Sequence, residues 1–253
     1  DATHVHSPTG GQGMNSGLID APCFLDALSL ASKGVACPSL LESYTAERVP
    51  VIRGTLGLTT DTLGETLAKT EEGWNRGSKY FQLDVNYRGS PVVLEERGED
   101  VPAPAPGVYT YRTLGRDQAG DRAPDAPPLP DVNGSAGLLT NLFSFFKIAK
   151  HTVLIFTASV SSADAVVDAL REYPTDLVQS VAILPATFSV CADKALPKAD
   201  FLVKDTDRHA YEGYLVNPVK AETTIIIVHP DTFVGSAGSG VGNVKGYFSR
   251  IFA

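Results

Sequence analysis

Asp1-Ala-Thr-His-Val-His-Ser-Pro-Thr-Gly-Gly-Gln-Gly-Met-Asn-Ser-Gly-Leu-Ile-Asp-Ala21 joins a polar turn to the glycine-rich start of a helix, and the reading of the whole chain turns on it. Gly10, Gly11 and Gly13 let the backbone come close to a ligand, since no Cβ stands in the way. The first N–H groups of a helix that starts near Met14 have no carbonyl partner within it and favour negative charge in front of them. The stretch therefore looks like one half of a cofactor site. Beyond it, Met14, Leu18, Ile19, Phe24, Leu25, Leu28 and Leu30 are spaced mostly by three or four. That spacing predicts a helix from Gly13 to Lys33, packed on one side and ended at Gly34. Pro22 should bend or interrupt it, because proline removes a donor and crowds the preceding carbonyl.

On these residues, Asp1 to Ala21 resembles the second flavin-contact motif of the phenol hydroxylase type of flavoprotein aromatic monooxygenase, GD followed by AHxHxPxGGQGMNxGxxDA. The resemblance implies that Asp1 binds the ribityl chain of FAD and that Pro8 lies beside the isoalloxazine ring. It also implies that Gly11, Gln12, Gly13, Met14 and Asn15 present backbone N–H groups to the N1/O2 edge. In that family the motif falls well past the middle of the FAD domain. The expectation is a truncated site: the GxGxxG turn that grips the dinucleotide, the NAD(P)H-facing segment and the substrate-activating residues would lie outside these residues. The family's DAxNLAWKLA is altered as well, since Cys23, Asp26 and Ala27 stand for its Asn, Trp and Lys.

Ser39-Leu-Leu-Glu42 reads as a capping box that opens a second helix running to about Thr70. Within it, Tyr44-Thr-Ala-Glu-Arg-Val-Pro-Val-Ile52 resembles the family's YxxERxPVI, with Glu47 and Arg48 in structural roles. Trp74 reads as a packing anchor. Tyr80 to Tyr87 alternates as a half-buried strand, and Val92 to Leu94 as a short one. The Pro/Ala segment 99–107 marks a linker between residues 1–98 and 108–253.

Gly120-Asp-Arg-Ala-Pro-Asp-Ala-Pro-Pro-Leu129 resembles the GDRAPDAPL that opens the C-terminal thioredoxin-like domain of these enzymes. Periodicity then predicts a helix over Ser135 to Lys150, a buried strand (His151 to Thr157), a capped helix (Ser162 to Tyr173) and a strand (Val181 to Leu184). After a long loop come a short helix near Asp207 to Tyr214, a hairpin over Thr223 to Gly235 and a closing helix from Val244 to Phe252. The order β-α-β then α-β-β-α is the thioredoxin arrangement, and the hairpin resembles the family's RPDGYVG. The fold class expected is α/β: a helical and β remnant of a flavin-monooxygenase FAD domain at 1–98, then a thioredoxin-like domain. The resemblance covers essentially the whole chain and is strongest at 1–21, 39–52, 120–129 and 205–253.

Of 253 residues 43% are apolar, enough for a real core of one or two domains. The net charge of −8 and the lack of clustered Lys and Arg argue against nucleic-acid or anionic-membrane partners. No apolar run is long enough to span a bilayer, and the expected location is the cytoplasm. Cys23, Cys37 and Cys191 lack CxxC spacing and read as reduced, buried bystanders, so thioredoxin chemistry is not expected. His4 and His6 lack a ligand-spaced partner and His151, His209 and His229 are scattered, so no metal is expected. Gly235 to Asn243 fits neither GxGxxG nor a P-loop and reads as a flexible hairpin-to-helix connection.

The expected function is that of the C-terminal portion of an FAD- and NADPH-dependent phenol 2-monooxygenase, not catalytic alone, without catalytic residues of its own and dimeric through the thioredoxin-like domain. The alternative is a stand-alone, self-associating protein that binds a glycan or protein.

Overall fold

The computed structural model describes residues 3–37, 39–71, 82–98, 107–109, 118–132, 139–189, 195–219 and 222–253. Asp1, Trp74, Cys191 and nearly all of the Pro/Ala segment lie outside these residues. Two helices come first, α1 (Gln12–Ser32) and α2 (Leu40–Leu67), packed on each other. Then follow β1 (Leu94–Glu95), β2 (Leu129–Pro130), β3 (Leu139–Thr140), a 3-10 turn (Leu142–Ser144), β4 (His151–Phe156), α3 (Val160–Leu170) and β5 (Val178–Pro185). The chain closes with β6 (Phe201–Asp205), α4 (His209–Gly213), β7 (Thr224–Val228), β8 (Val234–Ser239) and α5 (Gly240–Phe248).

Six strands form one mixed, mostly parallel sheet in the order β1-β8-β7-β4-β5-β6, with β7 antiparallel to both neighbours. The class is α/β. All of β4 and β5 is buried, because helices and loops cover both faces of the sheet. Side chains alternate between those faces. Leu154 and Phe156 point to a cluster closed by Ala126, Leu142, Tyr211 and Tyr214. Val153 and Ile155 point to one closed by Val166, Val244 and Phe248 together with Ala27, Leu30 and Leu40 from the first two helices. Each such fully buried aliphatic or Phe side chain contributes roughly 1.5–3 kcal/mol.

The turn between α1 and α2 is strapped to the C-terminus: Cys37 N–H donates to Ile251 O at 2.8 Å and Ala253 N–H to Val35 O at 3.0 Å. Gly120 ties residues 82–98 to the sheet. Its carbonyl accepts from Tyr87 N–H at 2.7 Å, and its own N–H donates to Val234 O at 2.6 Å.

Several expectations are corrected. The apolar positions of α1 do not make its packed face. Met14, Leu18 and Leu25 are 74%, 63% and 58% exposed, and Phe24 and Leu28 are exposed too, while Gln12, Ser16, Asp20, Cys23, Ala27 and Leu30 turn inward. Pro22 does not interrupt the helix; it sits on the exposed side, as does Leu18, the residue whose carbonyl loses its donor. Ser39 begins α2 without a side-chain cap, and its hydroxyl lies 3.2 Å from Cys37 Sγ.

Residues 82–87 form no strand, only a bridge from Val85 to Tyr109. The helix expected up to Lys150 is absent over 139–150. There Asp125 accepts from Phe143 N–H and the Asn141 amide, and Asn141 caps the Ser144 N–H, so side chains compete with the helical ladder. Part of the expected long loop is the edge strand β6. Nor is Gly235 to Ser239 a flexible connection: it is β8, and Gly235 allows Tyr247 to pack where a Cβ would lie 2.5 Å from its hydroxyl.

Gly120 has φ +93°, and a Cβ there would lie 2.5 Å from the Arg88 backbone. Gly120→Ala is therefore expected to destabilise the protein by about 1–3 kcal/mol or more, through the clash and the left-handed φ together. Urea unfolding should show a lower midpoint at an unchanged slope.

Candidate functional site

The polar turn reaches α1 through two residues that only glycine suits well: Gly10 and Gly11 have φ of 101° and 66°, and Gly11 is the left-handed N-cap. Gly11 N–H donates to Pro8 O at 3.4 Å, folding the turn back on itself. No side chain caps the first turn and no acidic residue stands in it, and the start of a helix favours negative charge in front of it. A Cβ at Gly11 would meet nothing within 4 Å, which leaves open space in front of the helix end.

Of the residues expected to touch a cofactor, Pro8, Gly11, Met14 and Asn15 are exposed around this end, and Gly13 is half-buried. Gln12 points the other way. It is buried, donates to Gly10 O at 3.1 Å and accepts from Gln82 Nε2 at 2.6 Å. Its side chain thus clamps the turn from beneath, and only its backbone is left for a ligand. Gln82, itself at φ 53°, is a supporting residue that sequence reasoning missed.

Below the turn runs a chain of polar side chains. His6 Nε2 meets His4 Nδ1 at 3.1 Å, and His4 Nε2 meets Asp20 Oδ2 at 2.6 Å. Arg48 Nε donates to Asp20 Oδ1 at 2.6 Å and its Nη1 to the Tyr87 hydroxyl at 3.0 Å. Burial, then the neighbouring His4, push the His6 imidazole below its ordinary value. Burial also works against the charge of Arg48, yet Tyr87 and Asp20 hold its pKa above the usual arginine range. Asp20 is thus the partner for His4 that sequence spacing had not supplied. A cleft of about 270 Å³ opens beside this chain, lined by Thr3, His4, Gly13, Gly17, Asp20 and Tyr44 among others.

A second cluster lies on the inner side of α1. His151 and His229, expected to be scattered, stack edge to face at 5.0 Å, whereas His209 sits apart and pairs with Pro127 O. Burial, then Asp231, push the Glu47 carboxyl up to about 7. Burial alone would lower His229, but the carboxylates of Asp231, Asp26 and Glu47 hold it up at about 9. Cys23 is buried with its thiol 3.4 Å from Asp231 Oδ2, and burial raises its pKa, so it is no nucleophile. Cys37 is only half-buried, not the buried bystander expected.

Residues 1–59 match the family model described as an FAD binding domain. Across 99% of the chain, the sequence is 28% identical to a flavin-dependent monooxygenase of Mycobacteroides abscessus. Over 73% of the chain it is 28% identical to the pentachlorophenol 4-monooxygenase of Sphingobium chlorophenolicum. The chain spans only 39% and 33% of those proteins. Among solved structures, the flavin-dependent monooxygenase PieE superposes with a TM-score of 0.62 at 19% identity, over 98% of this chain and 45% of that one. The anhydrotetracycline hydroxylase OxyS of Streptomyces rimosus gives 0.60 at 24%, over 100% and 43%. The chain is thus similar in sequence to flavin-dependent monooxygenases, its first 59 residues match an FAD binding domain model, and its fold resembles theirs over the part it covers. Among the described residues no helix is long and apolar enough to cross a membrane.

Asp20→Ala would leave the Arg48 guanidinium buried without a carboxylate, which costs about 3–5 kcal/mol. The Asp20→Ala/Arg48→Met double variant is expected to lose less than that single variant when both are compared by urea unfolding. A double variant as unstable as the two single losses summed would show that the pair is not coupled.

Proposed function

We propose that this chain is the C-terminal portion of a phenol hydroxylase-like flavoprotein monooxygenase. In this reading residues 1–98 are part of its FAD-binding domain, 99–107 a linker and 108–253 a thioredoxin-like domain. The observation that carries it is the open, glycine-turned start of α1, lying inside the segment that matches an FAD binding domain. The fit is chemical as well. The N-terminal end of an uncapped helix suits the N1/O2 edge, where a reduced flavin gathers negative charge, and a Cβ at Gly11 would meet nothing within 4 Å.

In this reading the backbone of Gly11 to Asn15 faces the N1/O2 edge, the Gly11 N–H giving up its long 3.4 Å bond to Pro8 O, while the Gln12 side chain holds the turn. Pro8 packs beside the ring, and Asp1 takes the ribityl chain. The bound flavin would supply oxygen activation and transfer of one oxygen atom to a phenol ring, with NADPH as electron donor. None of the residues assigned to this chain moves a substrate proton; they orient the flavin and favour its charge. The sequence holds no GxGxxG turn between a strand and a helix to grip a dinucleotide.

The thioredoxin-like reading of 108–253 is supported by strand order. β4 and β5 are parallel around α3, and β7 and β8 are antiparallel and followed by α5, with β7 beside β4. We assign to this unit packing and dimerisation rather than dithiol exchange. The exposed stripe of Met14, Leu18, Leu25 and Leu28 favours a further surface being covered in the whole protein. The same stripe fits the second reading, a self-associating product without enzymatic activity that binds a glycan or protein. Intact mass from the native source separates them: a larger protein supports the enzyme, a 26.8 kDa product the second reading.

The 253-residue chain alone is expected to show no stoichiometric flavin absorbance and no phenol-dependent NADPH oxidation. A yellow protein that turns over a phenol unaided would overturn the proposal.

A further inference from the structure

Asp26 projects from α1, His151 opens β4 and His229 follows β7, three elements that meet only in the folded chain. Each offers one ligand atom, and these atoms lie within 4.8 Å of one another. His229 Nε2 and Asp26 Oδ2 are 3.4 Å apart. The outer nitrogens each have a neighbour: His229 Nδ1 lies 2.9 Å from Asp231 Oδ1 as an ion-pair contact without hydrogen-bond geometry, and His151 Nδ1 is hydrogen-bonded to the Tyr247 hydroxyl at 3.1 Å. With the His151 proton on Nδ1, its Nε2 is left as a lone pair, and His229 gives up a proton when its Nε2 takes an ion. His151 Nε2 and Asp26 Oδ2 are buried and make no hydrogen bond among the described residues, and His151 is only 1% exposed.

A buried imidazole nitrogen without a partner is costly, and so is a carboxylate oxygen. One cation placed between Asp26, His151 and His229 would give both buried atoms a partner.

We propose that Asp26, His151 and His229 form a binding site for a divalent first-row transition ion, Zn2+ in the first instance. Two imidazoles and one carboxylate are a donor set for such an ion, with water completing a tetrahedron. Bonds of about 2.1 Å put tetrahedral ligands about 3.4 Å from each other, so atoms that lie within 4.8 Å of one another close further to hold the ion. Tyr247 supplies the outer hydrogen bond on His151, and Asp231 stands 2.9 Å from the outer nitrogen of His229, the kind of support that orients metal-binding histidines. Asp26 and His229 retain 12% and 14% side-chain exposure, which gives the ion a way in. Its role is structural: it pins α1 to β4 and to the β7–β8 turn.

Titration of the untagged, chelator-stripped chain with Co2+ tests this. The expected result is saturation at one equivalent with the intense visible absorption of four-coordinate Co2+, displacement by Zn2+, and a higher Tm with Zn2+ bound. His229→Gln and Asp26→Asn should abolish that absorption. Asp231→Asn should weaken binding about 10- to 100-fold as an outer partner, and His6→Ala should leave it intact. Circular dichroism checks that each variant is folded, and the titration of the unsubstituted chain stands without them. Absence of a one-equivalent endpoint, an absorption that survives His229→Gln, or one lost in His6→Ala would overturn the proposal.

Discussion

A guanidinium that is 2% exposed has given up most of its water and needs an anion in contact, and Arg48 finds that anion in Asp20. The candidate site depends on this pairing. Asp20 divides its two oxygens between Arg48 on α2 and His4 in the polar turn, and His4 in turn meets His6. One carboxylate therefore fixes the crossing of the two helices and the position of the turn that feeds α1. Gln12 and Gln82 secure the same turn from its other end. The uncapped helix start is thus presented by a backbone held from below on both sides.

The floor under these helices is the six-stranded sheet. Because β4 and β5 are covered on both faces, whatever covers the face of Val153 and Ile155 belongs to the same core, and that includes Ala27, Leu30 and Leu40. The proposed boundary at 99–107 is a boundary in chain order, whereas packing runs across it. β1, from the first part, pairs with β8, and the turn after α1 is bonded to the last residues of the chain. A change in the sheet is thus felt at the helix start through apolar contacts rather than through a hinge.

How much of this was legible in the sequence depended on which physical signal each part carries. The elements of the second half were readable because their runs are long and apolar: His151 to Phe156 and Thr224 to Val228 can only be buried strands. The glycine turn was readable because φ near 66° and 101° restricts the choice of residue. Residues 139–150 were misread because their apolar spacing is helical while Asp125, distant in sequence, takes over their N–H groups. The pairing of His151 with His229 was invisible for the same reason: 78 positions separate them, and only the register of β7 against β4 brings them together. Arg48 carried a familiar motif, but nothing local marks it as buried.

The inversion of α1 is the most informative of these departures. Gln12, Ser16, Asp20, Cys23, Ala27 and Leu30 recur at steps of four, four, three, four and three, a helical stripe as regular as the apolar one beside it. The polar stripe can turn inward because its groups find partners there: Gln82 for Gln12, Arg48 and His4 for Asp20, Asp231 for Cys23. Had those partners been lacking, desolvation would have cost more than the apolar stripe could recover, and the helix would be expected to roll over. Since it does not, Met14, Leu18, Leu25 and Leu28 are left facing outward, where each Å² of apolar surface still carries about 25 cal/mol of incentive to be covered. A helix with an uncapped start, a satisfied polar face and an uncovered apolar face has the form of a wall. What completes such a wall supplies an anionic edge at the first feature and apolar surface along the last, and in the proposed reading a flavin and the rest of an FAD-binding domain would supply both.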